Sequence, residues 1–372
     1  MDATQPLQLL DGLTPRQFMK RHWQKKPLLV REAVSGFGPL VERGALFDLS
    51  GKEDVESRLV VHQAKGWQMR RGPFTRRALP PLKSPGWTLL VQGVDLHHDG
   101  LHALLNQFRF VPDARLDDLM ISYASDTGGV GPHFDSYDVF LLQACGQRRW
   151  RIGRQKDKSL VEGAPLKILA NFTAEEEYIL NPGDMLYLPP GYAHDGVAIG
   201  ECMTYSIGFR APSRGELARE LLQRIAEDAQ ETAGDALYRD GWQDAVDAPG
   251  AIPMAMQDFA RQSLEAALRD PDVLPRALGE YLTEPKANVW FDAPESPAVV
   301  LRVELDRRTR MMHDPRHIFI NGESWRAAGR DAMLMRQLAD TRRLDQRDLA
   351  KASKGARELL LSWLDSGWLH GF

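Results

Sequence analysis

The sequence predicts an α+β chain with a small antiparallel barrel or double-sheet jelly roll at its centre, helices before and after it, and a tail in winged-helix order. Three observations predict this. Between Asp117 and Phe209 short strand signals follow closely on one another, separated by Gly- and Pro-rich turns, as in barrels and jelly rolls, cupins included. From Ser213 onward the apolar residues recur at helical spacing instead. The last part mixes strands, an Asn321-Gly322 hairpin signal and helices.

Taken in order, Thr14 caps a first helix with Pro15 in its opening turn, and Phe18, Met19, His22 and Trp23 lie on or near one face. Pro27-Leu28-Leu29-Val30 reads as a short strand. From about residue 40 to residue 115 helical and extended pieces alternate without a repeat. Strands are expected at residues 119–124, 139–143, 149–152, 178–180, 185–188 and 204–209, with residues 126–131 and 181–191 looping at the barrel rim. Leu217, Leu221, Leu222 and Ile225 mark one later helix, by its spacing a packing face, and Met256, Phe259, Ala260, Leu264, Ala267 and Leu268 mark another. A linker rich in Pro, Glu and Ala at residues 292–298 leads to paired strands at 299–305 and 317–320 and to helices near 332–338, 346–352 and 355–364. The divisions expected are residues 1–212, 213–292 and 293–372.

Composition removes several classes. At 372 residues the chain exceeds the roughly 250–300 that one core usually holds, so more than one packed unit is expected. Hydrophobic residues at 43% and charged residues at 26% exclude wholesale disorder. No apolar run reaches the roughly 20 residues of a membrane span, and the first twelve residues lack a basic flank and apolar block, so a soluble, cytoplasmic protein is expected. Cys145 and Cys202 are too few for a disulfide framework and read as small core residues in a reducing compartment. The net charge of −4 is uneven. From Leu301 onward there are 14 Lys and Arg against 10 Asp and Glu, leaving the body acidic and suited to a basic partner rather than to nucleic acid.

The chemistry lies in Gly131-Pro132-His133-Phe134-Asp135-Ser136-Tyr137, followed some sixty residues later by Pro189-Pro190-Gly191-Tyr192-Ala193-His194. On a strand, residues two apart share a face, which places His133, Asp135 and Tyr137 together. With His194 they supply two imidazoles and a carboxylate. On one face of iron such a set leaves three adjacent positions open, the arrangement of non-haem Fe(II) oxygenases, and a 2-oxo acid with dioxygen fills three. Other divalent ions fit the same ligands. The distal carboxylate of a 2-oxoglutarate bound in this way needs a fixed cationic fork deep in the barrel. Gly146-Gln147-Arg148-Arg149-Trp150 on the next strand supplies it, and if Trp150 packs inward, alternation turns Arg148 inward and Arg149 outward. His97, His98 and His102, and likewise His313 and His317, lack such a pattern and read as ordinary surface or loop histidines.

Four segments carry a resemblance. They are Arg21-His22-Trp23-Gln24-Lys25-Lys26-Pro27-Leu28, Asp117-Asp118-Leu119-Met120-Ile121-Ser122, Gly128-Gly129-Val130-Gly131-Pro132-His133-Phe134-Asp135-Ser136-Tyr137-Asp138-Val139-Phe140, and Pro182-Gly183-Asp184-Met185-Leu186-Tyr187-Leu188-Pro189-Pro190-Gly191. In them the chain resembles the bacterial ribosomal oxygenases, JmjC-type cupin enzymes. The likeness is most specific between Asp117 and Arg210. It implies a double-stranded β-helix (jelly-roll) catalytic domain with an N-terminal extension over residues 1–212, a helical dimerisation domain over 213–292, a winged-helix-like domain over 293–372, and a homodimer. It implies hydroxylation at C3, the β-carbon, of one arginine in large-subunit ribosomal protein sixteen, with 2-oxoglutarate and dioxygen converted to succinate and carbon dioxide. Fe(II) would be held by His133, Asp135 and His194. Arg148 matches the cosubstrate arginine and Ser122 a second cosubstrate contact, while Asp118, Met120, Tyr137 and Ser206 match the contacts to the arginine substrate. Thr204 stands where related sequences carry an Asn ahead of the Tyr-Ser-x-Gly-Phe segment.

The residues themselves agree in part, since Asp118, Met120 and Ser122 alternate on a strand and can share the barrel mouth. A carboxylate there holds a guanidinium in a bidentate fork without reacting, and positioning selects the hydrogen that is removed. The plainer alternative has Asp118 capping a turn. The same metal residues serve other targets, such as a ribosomal-protein histidine or a tRNA base, and a non-catalytic module in which metal is only a staple. DNA binding is disfavoured, because the recognition-helix candidate at 346–354 mixes Asp348 with Arg347, Lys351 and Lys354.

Overall fold

The computed structural model describes residues 2–63, 66–292 and 300–372. The chain forms two compact units, Met1–Ala211 and Pro212–Phe372. In the first, α1 (Pro15–Arg21) starts on a capping box between Thr14 and Gln17, with Pro15 in the first turn where its missing N–H costs nothing. There follow β1 (Leu28–Val30), α2 (Arg43–Leu49), β2 (Ser57–Gln63), β3 (Gly66–Arg71), β4 (Trp87–Val91), α3 (Asp99–Asn106), β5 (Leu116–Ala124), β6 (Val139–Gly153), β7 (Glu176–Leu180), β8 (Met185–Leu188) and β9 (Ala193–Phe209). All pairings are antiparallel. The strands join in the order β1-β8-β6-β9-β5-β4-β2-β3, with β7 also on β6.

Two strands expected as separate, at 139–143 and 149–152, are one. β6 runs unbroken through Gly146, whose φ of +62° and the register shifts at Gln143/Cys145 and Cys145/Gln147 absorb the irregularity and bend the strand. Arg148 therefore sits on the same strand that leaves the His133 segment. β9 likewise starts at Ala193, well before the expected residue 204. Bending lets these two long strands curl the sheet around a cavity.

The first part of β6, residues 139–144, is buried on both faces, which is why it reads as a nearly unbroken apolar run. Phe140 and Leu142 point into the larger core with Phe18, Trp23, Tyr187 and Phe209, while Val139 and Leu141 join Trp150, Ile152 and Leu188 in a smaller cluster. Phe18 contacts Trp23, Phe140 and Tyr187, pinning α1 against the sheet.

The second unit contains α4 (Arg214–Glu227), α5 (Ala229–Ala233), α6 (Met254–Ala267), α7 (Val273–Thr283), β10 (Val303–Leu305), β11 (Met311–His313), β12 (His317–Ile320), β13 (Glu323–Arg326), α8 (Gly329–Thr341), β14 (Arg343–Leu344), α9 (Gln346–Leu349), α10 (Lys354–Asp365) and β15 (Leu369–Gly371). Asn321 and Gly322, both at positive φ, close the β12–β13 hairpin. The expected pairing of residues 299–305 with 317–320 is not what forms. β10 pairs with β14 and β15, and β12 pairs with β11 and β13, so the two lie in different sheets. Val299 and most of the expected linker, residues 293–298, fall outside the described residues. Ile318, Ile320, Leu338, Leu344, Leu360, Trp363 and Leu369 form this unit's core.

Candidate active site

The site begins at residues 131–138, of which His133, Asp135 and Tyr137 were expected to share one face of a strand. Only His133 pairs there, in a single bridge to His194, and β6 does not begin until Val139. The departure has a reason: the chain must leave the sheet here to turn its side chains into the cavity, and Gly131 allows it, with φ +80° and the Trp67 ring 2.9 Å from where a Cβ would stand. The segment is nonetheless held firmly. The His133 N–H donates to His194 O at 3.0 Å and the His194 N–H to His133 O at 2.8 Å, while the Gly191 N–H donates to Asp135 O at 2.7 Å. At its far end Asp138, fully buried and given no role in the sequence reading, accepts from the Tyr187 hydroxyl at 2.6 Å, from Gln24 Nε2 and from Arg115 Nη2.

One ligating atom from each of His133, Asp135 and His194 lies within 4.8 Å of the others, and among the described residues they are the grouping of this kind that could hold a metal ion. His133 Nδ1 is 2.9 Å from Gly131 O and His194 Nδ1 is 3.1 Å from Tyr192 O. A carbonyl oxygen only accepts, so each Nδ1 carries the proton and each Nε2 keeps its lone pair, the form in which imidazole binds a cation. His194 Nε2 is 3.6 Å from Asp135 Oδ2, too far for a hydrogen bond. Burial and then the neighbouring His133 hold the His194 imidazole below its ordinary range, so it is neutral near pH 7.

These residues line a cavity of about 260 Å³ together with Ser122, Met120, Tyr137, Arg148, Trp150, Ser206 and the apolar Leu90, Val139 and Leu141. Trp150 is buried and Arg148 with it, only 4% exposed, whereas Arg149 is half-buried, as strand alternation requires. Arg148 Nη1 donates to Ser122 Oγ at 3.0 Å and its guanidinium lies over the Trp150 ring. Its Nε and Nη2 are buried without a hydrogen-bond partner among the described residues. A buried guanidinium with two unmet donors facing a cavity calls for an anion. Gly196 makes room for Trp150, whose ring atoms stand 2.5 Å from where a Cβ would be.

Tyr137, at the mouth, is 39% exposed as a residue. Burial of its hydroxyl and then the charges of Asp135 and Asp118 push that hydroxyl well above its ordinary range, keeping it protonated. Met120 and Ser206, paired across β5 and β9, line the cavity. Asp118 is buried behind this wall, accepts from the N–H of Gly93, distant in sequence, at 3.1 Å, and is within electrostatic reach of Tyr137. Thr204 does not line the cavity; its hydroxyl donates to Gln143 Oε1 at 2.9 Å. His98 caps α3 through Leu101 N, and His313 and His317 pair with Asp340 and Asp314.

Comparison with known proteins agrees with this geometry. A JmjC domain model matches residues 103–217 and a ROXA-like winged-helix model matches residues 266–370. The ribosomal protein uL16 3-hydroxylase of Escherichia coli K12 is 36% identical over 282 residues, 75% of this chain and 74% of that protein. The chain belongs to the ribosomal oxygenase family. Another ribosomal oxygenase relative, described as probable, is that of Haemophilus influenzae, 37% identical over 214 residues, 56% of this chain and 52% of that one. The crystal structure of Escherichia coli YcfD superposes with a TM-score of 0.83 at 30% identity, covering 96% of this chain and 98% of that one. YcfD is described as a ribosomal oxygenase, and its complex with cobalt and 2-oxoglutarate superposes at 0.80, again with 30% identity and 96% and 98% coverage. Like those ribosomal oxygenases, this one carries a jelly-roll JmjC core and a winged helix. Among its described residues no helix is long and apolar enough to cross a membrane.

Proposed function

We propose that this chain is an Fe(II)- and 2-oxoglutarate-dependent oxygenase that hydroxylates C3 of an arginine side chain in ribosomal protein uL16. The observation that carries the reading is Arg148, whose two unmet buried donors face the same cavity as His133, Asp135 and His194. The donor set fits a ferrous ion: two imidazoles whose Nδ1 atoms face backbone carbonyls, and one carboxylate. Bound there, the iron supplies the redox chemistry by which 2-oxoglutarate and dioxygen become succinate and carbon dioxide while one oxygen atom enters the C–H bond.

The protein's residues do the rest. Arg148 and Ser122 fix the distal carboxylate of 2-oxoglutarate, and Leu90, Val139, Leu141 and Trp150 keep water from it. Asp118, Met120, Tyr137 and Ser206 hold the arginine side chain so that C3 faces the metal side. The protonated Tyr137 hydroxyl donates a hydrogen bond, and Asp118 supplies the charge.

Residues 213–292 form the helical dimerisation region. Leu222, Met254 and Leu264 there are 62%, 69% and 70% exposed, apolar surface suited to a second copy. The tail packs or docks substrate rather than binding DNA, since Asp348 at the start of the second winged-helix helix is tied to Lys351 and Gln337. A ribosomal substrate supports a cytoplasmic location.

The test incubates the protein with Fe(II), 2-oxoglutarate and a uL16 peptide, following succinate and peptide mass. Succinate with one oxygen gained on an arginine is expected. Succinate with an unmodified peptide overturns the target, and no succinate overturns the enzyme reading in favour of a metal-stapled module.

A further inference from the structure

The cavity has a second charged corner that the sequence does not announce. Arg58 on β2 and Gln92 just after β4 both line it. Arg58 Nη2 donates to Gln92 Oε1 at 3.1 Å, and Gln92 Nε2 donates to Asp118 Oδ1 at 3.4 Å. One primary amide thus stands between a guanidinium and a carboxylate, and an amide suits both because it accepts at one end and donates at the other. Gly208 on β9 lines the cavity too, beside the same carboxylate. A Cβ there would stand 3.6 Å from Asp118 Oδ1 and 3.8 Å from Asp118 O, with no other neighbour inside 4 Å among the described residues. The backbone at Gly208 is not in the left-handed region, so nothing in its conformation requires glycine. What glycine leaves is space between the cavity and the carboxylate.

We propose that Gln92 and Gly208 are specificity-determining residues: Gln92 holds Arg58 one amide away from Asp118, and Gly208 leaves open the approach by which an incoming arginine side chain reaches that carboxylate. The inference rests on the arginine substrate assigned above and deepens it. Asp118 is only 3% exposed, and a buried carboxylate is costly without a nearby cation. Arg58, held through the amide, offsets part of that cost from one side of the corner. A guanidinium matches a carboxylate with two parallel bonds, which a lysine ammonium cannot do, so the corner selects arginine over lysine.

The test uses the full-length protein with Fe(II), 2-oxoglutarate and uL16 peptides carrying Arg or Lys at the modified position. Gly208→Ala, which adds a methyl at ordinary contact distance, is expected to raise KM for the Arg peptide roughly tenfold or more, the loss of a charged hydrogen bond, while KM for 2-oxoglutarate stays within about twofold. Gln92→Ala is expected to raise peptide KM in the same way, and adding Arg58→Ala to it to recover most of the loss by removing the competing guanidinium. Anisotropy of a labelled peptide on the metal-free protein should rank the variants identically, and the preference for Arg over Lys should shrink in both single variants. Wild-type turnover with unchanged peptide KM in both single variants overturns this inference alone, as does an equal rise in KM for 2-oxoglutarate. A wild-type protein that does not modify the Arg peptide overturns the substrate reading and this inference with it.

Discussion

Both units set histidines beside carboxylates, and the geometries differ in kind. In the C-terminal unit His370 Nε2 lies 2.8 Å from Asp306 Oδ2 and His317 Nδ1 lies 3.1 Å from Asp314 Oδ2, each a completed hydrogen bond, and Arg308 caps Asp306 as well. In the barrel unit the Nδ1 atoms of His133 and His194 face backbone carbonyls, His194 Nε2 stands 3.6 Å from Asp135, and Arg148 keeps two donors without partners. Closed pairs stabilise a fold. Groups that are buried, oriented and left at more than bonding distance are arranged for something that comes between them. Residue type alone does not tell the two apart; the ring nitrogen in use and the spacing do.

Breaking the open cluster should have the largest effect. His133→Ala is expected to reduce succinate release by more than the roughly 100-fold that loss of an outer partner of a metal ligand costs, whereas His317→Ala should leave it within about twofold. Retained activity in the first variant would sink the ligand assignment. Next comes Arg148→Met, which removes charged hydrogen bonds worth about 1.5–3 kcal/mol and should raise KM for 2-oxoglutarate about 10- to 100-fold. Iron affinity measured by titration should barely move, because the guanidinium meets the acid and not the ion; a parallel fall in both would contradict it.

In the closed cluster the readout is stability. His317, 5% exposed, loses its partners in His317→Ala, for an expected cost of about 1–3 kcal/mol in urea denaturation with succinate release intact. The smallest effect is a pH dependence. Burial would raise the Asp306 carboxyl, but hydrogen bonds from Arg308 and His370 outweigh it and hold it below its ordinary 3.8. A depressed folded-state value stabilises fully above the unfolded value and loses that contribution as pH falls through the folded one. Asp306→Asn should therefore lower the melting temperature near neutrality and flatten its decline below about pH 4. An identical acid slope in both proteins would remove Asp306 from the account.

Much of this was legible in the letters. His133, Asp135 and His194 stand out because the types and spacing are rare together, and Arg148 follows from its two-residue offset to a packed Trp150. Other features left no local signal. Residues 133–137 look like a strand by their alternation, although only His133 pairs there and residues 136 and 137 lie in a bend. α7 is obscured by Pro275, which is harmless in a first turn. β10 is three residues long, and so short a strand does not specify its partner. Arg58, Gln92 and Gly208 come from three separate parts of the sheet and acquire a shared meaning only when folded, although a glycine inside a strand was a hint.

The reciprocal backbone bonds between His133 and His194 have a thermodynamic consequence. Because main chain, not the ion, joins these two distant stretches, loading with ferrous iron should be a docking event on a ready-made seat, with little change in heat capacity. A chelator should then silence the enzyme without melting it, and resupplying the ion should restore turnover at the pace of mixing rather than of refolding.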